Sequence, residues 1–160
     1  MAYEFYVTIE GTKQNAFKGE SVREDHKAKI AGLAYQHQII APRDISSGQA
    51  SGKRQHGPVI ITKEWGAASP QLFQALVTNE ILTSVVIEFY HTTAEGVEEN
   101  YHTVKLKNAT VSKIAQSTGS SSKTANTLDT HELEEISFTY QRIEMENLTH
   151  KTSAEDDWTL

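Results

Sequence analysis

Residues 131–135, His131-Glu132-Leu133-Glu134-Glu135, open like the zinc motif His-Glu-x-x-His. In that motif two imidazoles one helical turn apart grip the metal and the glutamate serves as base. Glu135 stands where the second histidine must be, so the spelling fails at a ligand. Ser120-Ser121-Ser122-Lys123 spells Ser-x-x-Lys, the pattern of an acylatable serine beside a deprotonated lysine. That chemistry needs a buried helix start to depress the lysine pKa, and a serine-rich stretch supplies neither burial nor rigidity. His91 and His102, with Glu98 and Glu99 between them, are candidates to meet across a hairpin and hold a transition metal. Exposed His and Glu are equally at home at a hairpin end without one. No Gly-x-Ser-x-Gly elbow, phosphate-binding loop or dinucleotide fingerprint occurs. Asn108-Ala109-Thr110 and Asn147-Leu148-Thr149 match glycosylation acceptors, which have meaning only on a secretory route. The reading is of a protein with no catalytic residues, no cofactor and no structural metal.

The elements that carry these residues read mostly as strands. Tyr3, Phe5, Val7 and Ile9 alternate with Glu4, Tyr6 and Thr8, the period of a half-buried strand. Gly11 to Asp25 is polar and reads as a loop, and a second extended segment runs from about Lys29 to Ile40, before Pro42. Residues 42–55 contain almost no large apolar side chain, so they cannot pack a core. A stretch that long is a projecting loop or an extended hairpin, with Gly48 and Gly52 allowing the reversal.

Val59-Ile60-Ile61 is a short buried strand with Lys63 and Glu64 at its exit. The one convincing helix has Ser69 as N-cap, Pro70 at its first position, and Leu72, Phe73, Leu76 and Val77 on one face. Ile81 to His91 and Asn100 to about Ile114 form a long hairpin about the Ala94-Glu95-Gly96 turn. The second of these changes phase between Leu106 and Ala109, which a bulge near Lys107-Asn108 would reconcile. The last long strand slips similarly, with Ile136, Phe138 and Tyr140 followed by Ile143 and Met145. Gln116 to Thr130 reads as a surface loop, and a tail from about Asn147 ends in Glu155-Asp156-Asp157-Trp158. Bulged long strands bend. The expected fold is therefore mainly β: one domain over 1–160, a compact β-barrel of two curved antiparallel sheets with one short flanking α-helix.

Composition narrows the function. The 160 residues include 15 Lys and Arg against 21 Asp and Glu, a formal charge of −6 that repels nucleic acid. There is no cysteine, which removes disulfides and thiolate chemistry. No run approaches the ~20 apolar residues that span a bilayer, so no membrane insertion is expected. The N-terminus enters strand-like alternation without a basic start or apolar stretch. Export, if it occurs, is expected by a route that reads no cleaved signal peptide.

His56-Gly57-Pro58 followed by Val59-Ile60-Ile61-Thr62-Lys63-Glu64 reads by itself as a turn into a buried strand. Arg54 and Gln55 precede it and Ser69-Pro70-Gln71-Leu72 follow. Further on come Tyr101-His102-Thr103-Val104-Lys105-Leu106-Lys107-Asn108-Ala109, then Leu133-Glu134-Glu135-Ile136-Ser137-Phe138-Thr139-Tyr140 and the acidic tail with its Trp. In this order the segments resemble the haemolysin-coregulated protein (Hcp) family of the bacterial type VI secretion system, over essentially the whole chain. His56, Pro58, Lys63, Ser69, Pro70 and Leu72 are the positions that carry the likeness. Trp65-Gly66 departs from the usual aliphatic and acidic pair, and the 117–127 loop has its own sequence.

The resemblance implies a homohexameric ring with an open lumen, stacked into the inner tube that a contractile sheath drives outward. Spike protein, sheath and baseplate are then its partners, and small effector proteins ride in the lumen. The protein would reside in the bacterial cytoplasm before firing and be secreted afterwards. Strand edges invite such closure, and ring-on-ring stacking is a heterologous contact that makes a fibre. The 42–55 segment is the expected arm, with Arg43, Asp44, Lys53 and Arg54 as polar contacts. Glu98 and Glu99, or Glu155, Asp156 and Asp157, offer complementary charge. A phage tail tube-like protein, a monomeric ligand-binding β-sandwich and a small β-barrel hydrolase remain as alternatives at this point.

Overall fold

A computed structural model of the chain describes residues 3–19, 29–118 and 132–158. Twelve strands and one helix are present among them: β1 (Tyr3–Gly11), β2 (Asn15–Ala16), β3 (Ile30–Gly32), β4 (Ala34–Gln36), β5 (Ile39–Ile40), β6 (Gln55–His56), β7 (Val59–Glu64), α1 (Ala68–Thr78), β8 (Leu82–Thr92), β9 (Glu98–Ser117), β10 (Leu133–Thr139), β11 (Arg142–Asn147) and β12 (Thr152–Asp157). The Ser120–Lys123 stretch, His131 and most of the expected 116–130 loop lie outside the described residues.

All strand pairs are antiparallel, and the main sheet runs β2-β1-β8-β9-β10-β7-β4. The mainly β class is as the sequence predicts, but this strand order is open and not a continuous closed barrel. Its two ends are drawn together by residues 30–36. Their first half pairs with β1 and their second half with β7, and Leu33 between them donates its N–H to the Thr62 carbonyl at 2.8 Å. Phe5, Tyr35 and Phe89 pack edge-on or tilted at this seam, with centroids 5.1–6.4 Å apart. Gly32 admits Phe5, since a Cβ there would fall 1.9 Å from the ring. Burial pushes the Tyr35 phenol up to about 12.

The 20-residue β9 is the spine. One side pairs with β8 from residue 98 to 109. Its other side pairs with β11 over 102–107 and with β10 over 110–117. The phase change expected near Lys107-Asn108 is present, and Asn108 takes φ 50°. The register with β8 does not slip there, however. Leu82 faces Ala109 and Val85 faces Leu106, all four fully buried or nearly so, so the two strands change phase together. The odd residue is taken up against β1, whose register with β8 shifts at Glu10/Gly11. The slip expected after Tyr140 is a break between β10 and β11, and Met145 beyond it is exposed. The acidic tail is not loose but forms β12 against β11.

Val7, Ile9, Val59, Ile61, Leu72, Leu82, Ile87, Leu106, Ile136 and Phe138 form the core. Tyr6, on the other face of β1, is also buried and packs against Tyr90. The helix differs from expectation at its start. It begins at Ala68 with Ala67 before it and no side-chain cap, because the Ser69 hydroxyl is engaged elsewhere. It buries Ala68, Leu72 and Ala75 and leaves Phe73 and Val77 exposed. Asn79 at φ 55° closes it. No helix among the described residues is long and apolar enough to cross a membrane.

Candidate assembly surface

Residues 39–56, which include the 42–55 stretch expected as a projecting loop or a hairpin, form an extended hairpin. Its base is the β5–β6 pair, and Arg43 and Ala50 bridge farther out. At the tip Asp44 accepts hydrogen bonds from the Ser46 N–H, the Ser46 hydroxyl and the Ser47 hydroxyl at 2.9–3.2 Å. These bonds hold the Asp44 carboxyl below its usual range, and Gly48 adopts φ 72°. Asp44 is therefore a turn-former. Residues 43–53 are exposed throughout, and Arg43 and Lys53 make no ion pair with a described residue.

The base of the hairpin is clasped to the C-terminal strand. The Arg54 guanidinium binds the Asp156 carboxylate in two-pronged fashion, at 2.5 and 2.8 Å, and donates to the Asp157 carbonyl at 3.1 Å. His56, whose side chain is 3% exposed, lies between Asp156 at 2.7 Å and the Tyr140 hydroxyl at 3.0 Å. The His37 Nε2 reaches the same hydroxyl at 2.7 Å, the Gly57 carbonyl is 3.2 Å from it, and the Trp158 indole stacks on His56. The Trp158 N–H donates to the Tyr140 carbonyl. Three separate chain segments, at 37, 56–57 and 158, thus converge on one tyrosine.

The proton arrangement follows from the valences. Asp156 is held ionised by the Arg54 hydrogen bond, against burial and with help from His56, so the His56 Nε2 is the donor toward it. The Tyr140 hydroxyl has one proton for three neighbours, the Gly57 carbonyl and the His37 and His56 ring nitrogens, so at least one of these ring nitrogens faces it as an N–H donor. Burial, then repulsion from His56, lowers the His37 pKa. Burial raises the Tyr140 pKa far above its usual value. Together these contacts clasp the base of the hairpin to the C-terminal strand.

Lys63 and Glu134 form a second buried polar centre. They are cross-strand partners on β7 and β10, both side chains fully buried, with Nζ and Oε1 2.7 Å apart. The Ser69 hydroxyl donates to Glu134 at 2.6 Å and accepts the Gly66 N–H at 3.0 Å, while Gln116 donates to the second carboxylate oxygen. Burial pushes the Glu134 carboxyl up, but these hydrogen bonds outweigh it and hold the group ionised. The Lys63 Nζ lies 2.7 Å from this carboxylate and 3.5 Å from the Ser69 hydroxyl. The centre staples the helix start to the sheet.

Arg54, His56, Asp156 and Asp157 are brought together, but within one chain. Glu155 pairs with Arg142 on the neighbouring strand. Glu98 and Glu99 lie at the β8–β9 turn, where Glu99 faces His91. His91 and His102 are not cross-strand neighbours as supposed: His91 stacks on Tyr101 and His102 is opposite Phe89. Pro58 and Pro70 are exposed at the starts of β7 and α1. Leu72 is fully buried beneath the helix. The sequence reading meets Tyr140, Trp158 and Glu134 only as parts of longer segments and passes over His37, although Glu134 shares the inward parity of Ile136 and Phe138.

Apart from the two- and three-residue strands β2 to β6, two strand edges lack partners among the described residues. One is the outer edge of β12, which pairs with β11 alone. The other is the β8 side of β9 beyond Thr110, since β8 pairs with β9 only as far as Ala109. Residues 112, 113 and 115–118 are exposed on both faces of the strand, as are 152–155.

A family model described as type VI secretion system effector, Hcp, matches residues 6–147. The chain is 39% identical to the "Major exported protein" of Pseudomonas aeruginosa over 167 aligned positions, spanning 99% of this chain and 96% of that protein. Among solved structures, a crystal structure of an Hcp protein superposes with a TM-score of 0.90 at 29% identity, covering 98% of both chains. The secreted protein Hcp3 from Pseudomonas aeruginosa superposes with a TM-score of 0.80 at 32% identity, covering 98% of this chain and 99% of that one. Matched by the family model over most of its length and by a relative of 39% identity over nearly all of it, the chain belongs to the Hcp family of the type VI secretion system.

Proposed function

We propose that this chain is the ring-forming subunit of a type VI secretion inner tube. It closes into a hexamer, stacks ring on ring, and leaves the cell as part of the expelled tube. Spike, sheath and baseplate are its partners at the ends and outside, and small effector proteins are its cargo within the lumen. It works by assembly and not by catalysis.

The observation that carries this reading is the pair of open strand edges. An exposed edge is a row of unpaired N–H and C=O groups that invites another strand. Here the two edges belong to different strands, so one copy presents to the next a surface different from the one it receives. Repeated about an axis, such a contact closes into a ring that uses both edges on every subunit. The hairpin then projects beyond the sheet and is available to the ring above or below. Its ordering by internal bonds lowers the entropy that a joint has to offset.

Negative-stain electron microscopy of purified protein at micromolar concentration tests the reading. Six-fold annular particles with a central hole are expected, together with short end-to-end stacks. A field of isolated single subunits would refute it.

A further inference from the structure

Ile45 occupies the hairpin tip with its side chain fully exposed, at 102% of the reference area. An isoleucine there contributes nothing to its own chain's packing. The Asp44–Ser46–Ser47 bonds nevertheless fix the turn that presents it. Between the hairpin base and the β11–β12 pair lies a shallow groove of about 170 Å³, lined by Ile39, Ile143, Met145, Ala154, Glu155 and Asp156. Ile39 belongs to the base of the hairpin.

We infer that the Ile45 tip of one copy docks into the Ile39/Met145/Ala154 groove of a second copy. The inference rests on the tube-subunit reading and names the contact within it. Charge favours this occupant. Residues 42–55 carry three bases against one acid, and residues 142–157 carry five acids against two bases. These surfaces already attract each other within one chain at Arg54 and Asp156, and Arg43, two residues before Ile45, is left over for the neighbour's acids. Another exposed apolar surface, Phe73 and Val77 on α1 with Ile81 after it, is a weaker receptor. It is a ridge where a knob needs a hollow, and α1 bears no charged residue. Tip-to-base docking is directional: each copy gives one knob and receives one, so it propagates from subunit to subunit.

The absence of cysteine makes the test direct. Ile45→Cys is combined with Met145→Cys, with Ala154→Cys, or with Val77→Cys, and each double variant is oxidised in its assembled state. Disulfides form only between Cα atoms within about 7 Å. Intermolecular ladders on non-reducing gels are expected for the first two pairs and not for the third. Ile45→Asp, at a site with no intrachain contact, is expected to weaken end-to-end stacking roughly tenfold or more while the subunit stays folded by circular dichroism. A ladder with Val77→Cys alone, or rings that assemble and stack while none of the pairs cross-links, overturns the docking contact and leaves the ring reading intact. Absence of any rings overturns both.

Discussion

Arg54 and Asp156 stand 102 residues apart in the sequence and meet through two hydrogen bonds at 2.5 and 2.8 Å. The pair anchors the base of the hairpin, so a charge expected to reach a neighbour is committed inside its own chain. Arg54→Ala is expected to free the hairpin base. Amide exchange at Ile39, Ile40, Gln55 and His56 should quicken while Ile61 in β7 stays protected. Lys53→Glu should leave exchange unchanged and reduce stacking alone. Equal exchange in Arg54→Ala and the parent would show that the pair does not hold the hairpin.

The His37 site makes stability depend on pH in a definite direction. Its folded pKa lies below the ordinary 6.5, through burial and then repulsion from His56. Below about pH 6.5 the unfolded chain therefore takes up a proton that the folded chain refuses. Stability from this site is present above that pH and lost as the pH falls through it. The Asp156 contribution is lost only below the ordinary 3.8, so the two windows separate. Urea midpoints should drop between about pH 7.5 and about pH 5.5, and His37→Phe should flatten that drop. An equal slope in the variant would contradict the assignment.

Lys63 and Glu134 should be costly to separate and cheap to replace together. Removing one partner of a buried pair strands the other charge, at about 3–5 kcal/mol. Lys63→Met is expected to destabilise by that order in urea unfolding. Lys63→Met with Glu134→Leu should recover much of the loss, short of what Ser69 and Gln116 forfeit with the carboxylate they donate to. A double variant as unstable as the single one would mean that the pair does more than neutralise itself.

Part of this pair was legible. Val59, Ile61 and Lys63 share one parity, and Glu134, Ile136 and Phe138 share another, so strand alternation points both charges inward. Reading Lys63 as a charge at the strand exit overrode that alternation. The hairpin was legible because residues 42–55 have nothing to bury. The Tyr140 clasp was not, because the partners of its hydroxyl lie 83–103 residues away along the chain and local pattern carries no such information. The helix start was misplaced for a related reason. Ser69 has the chemistry of a cap, but Glu134, 65 residues on, takes its hydroxyl proton.

Glu80 illustrates a buried acid that no local pattern announces. Its carboxylate accepts the Lys13 and Gln14 backbone N–H groups at 3.1 and 3.0 Å and the Gln14 side-chain amide at 3.2 Å. Burial opposes ionisation there, and these bonds outweigh it. A Cβ on Gly11 would lie 2.0 Å from the Glu80 Oε2, and the fully engaged carboxylate cannot swing away without breaking the turn. Gly11→Ala is expected to cost about 1–3 kcal/mol, read as a lower thermal midpoint. An unchanged midpoint would show that the turn yields freely.

The most direct test of the central claim is the solution mass of the unmodified protein, by light scattering behind size-exclusion chromatography at micromolar concentration. Open edges on both flanks predict a discrete particle of six times the 17.8 kDa chain, with heavier stacks at higher concentration. A single species at the mass of one chain across that range would contradict the account.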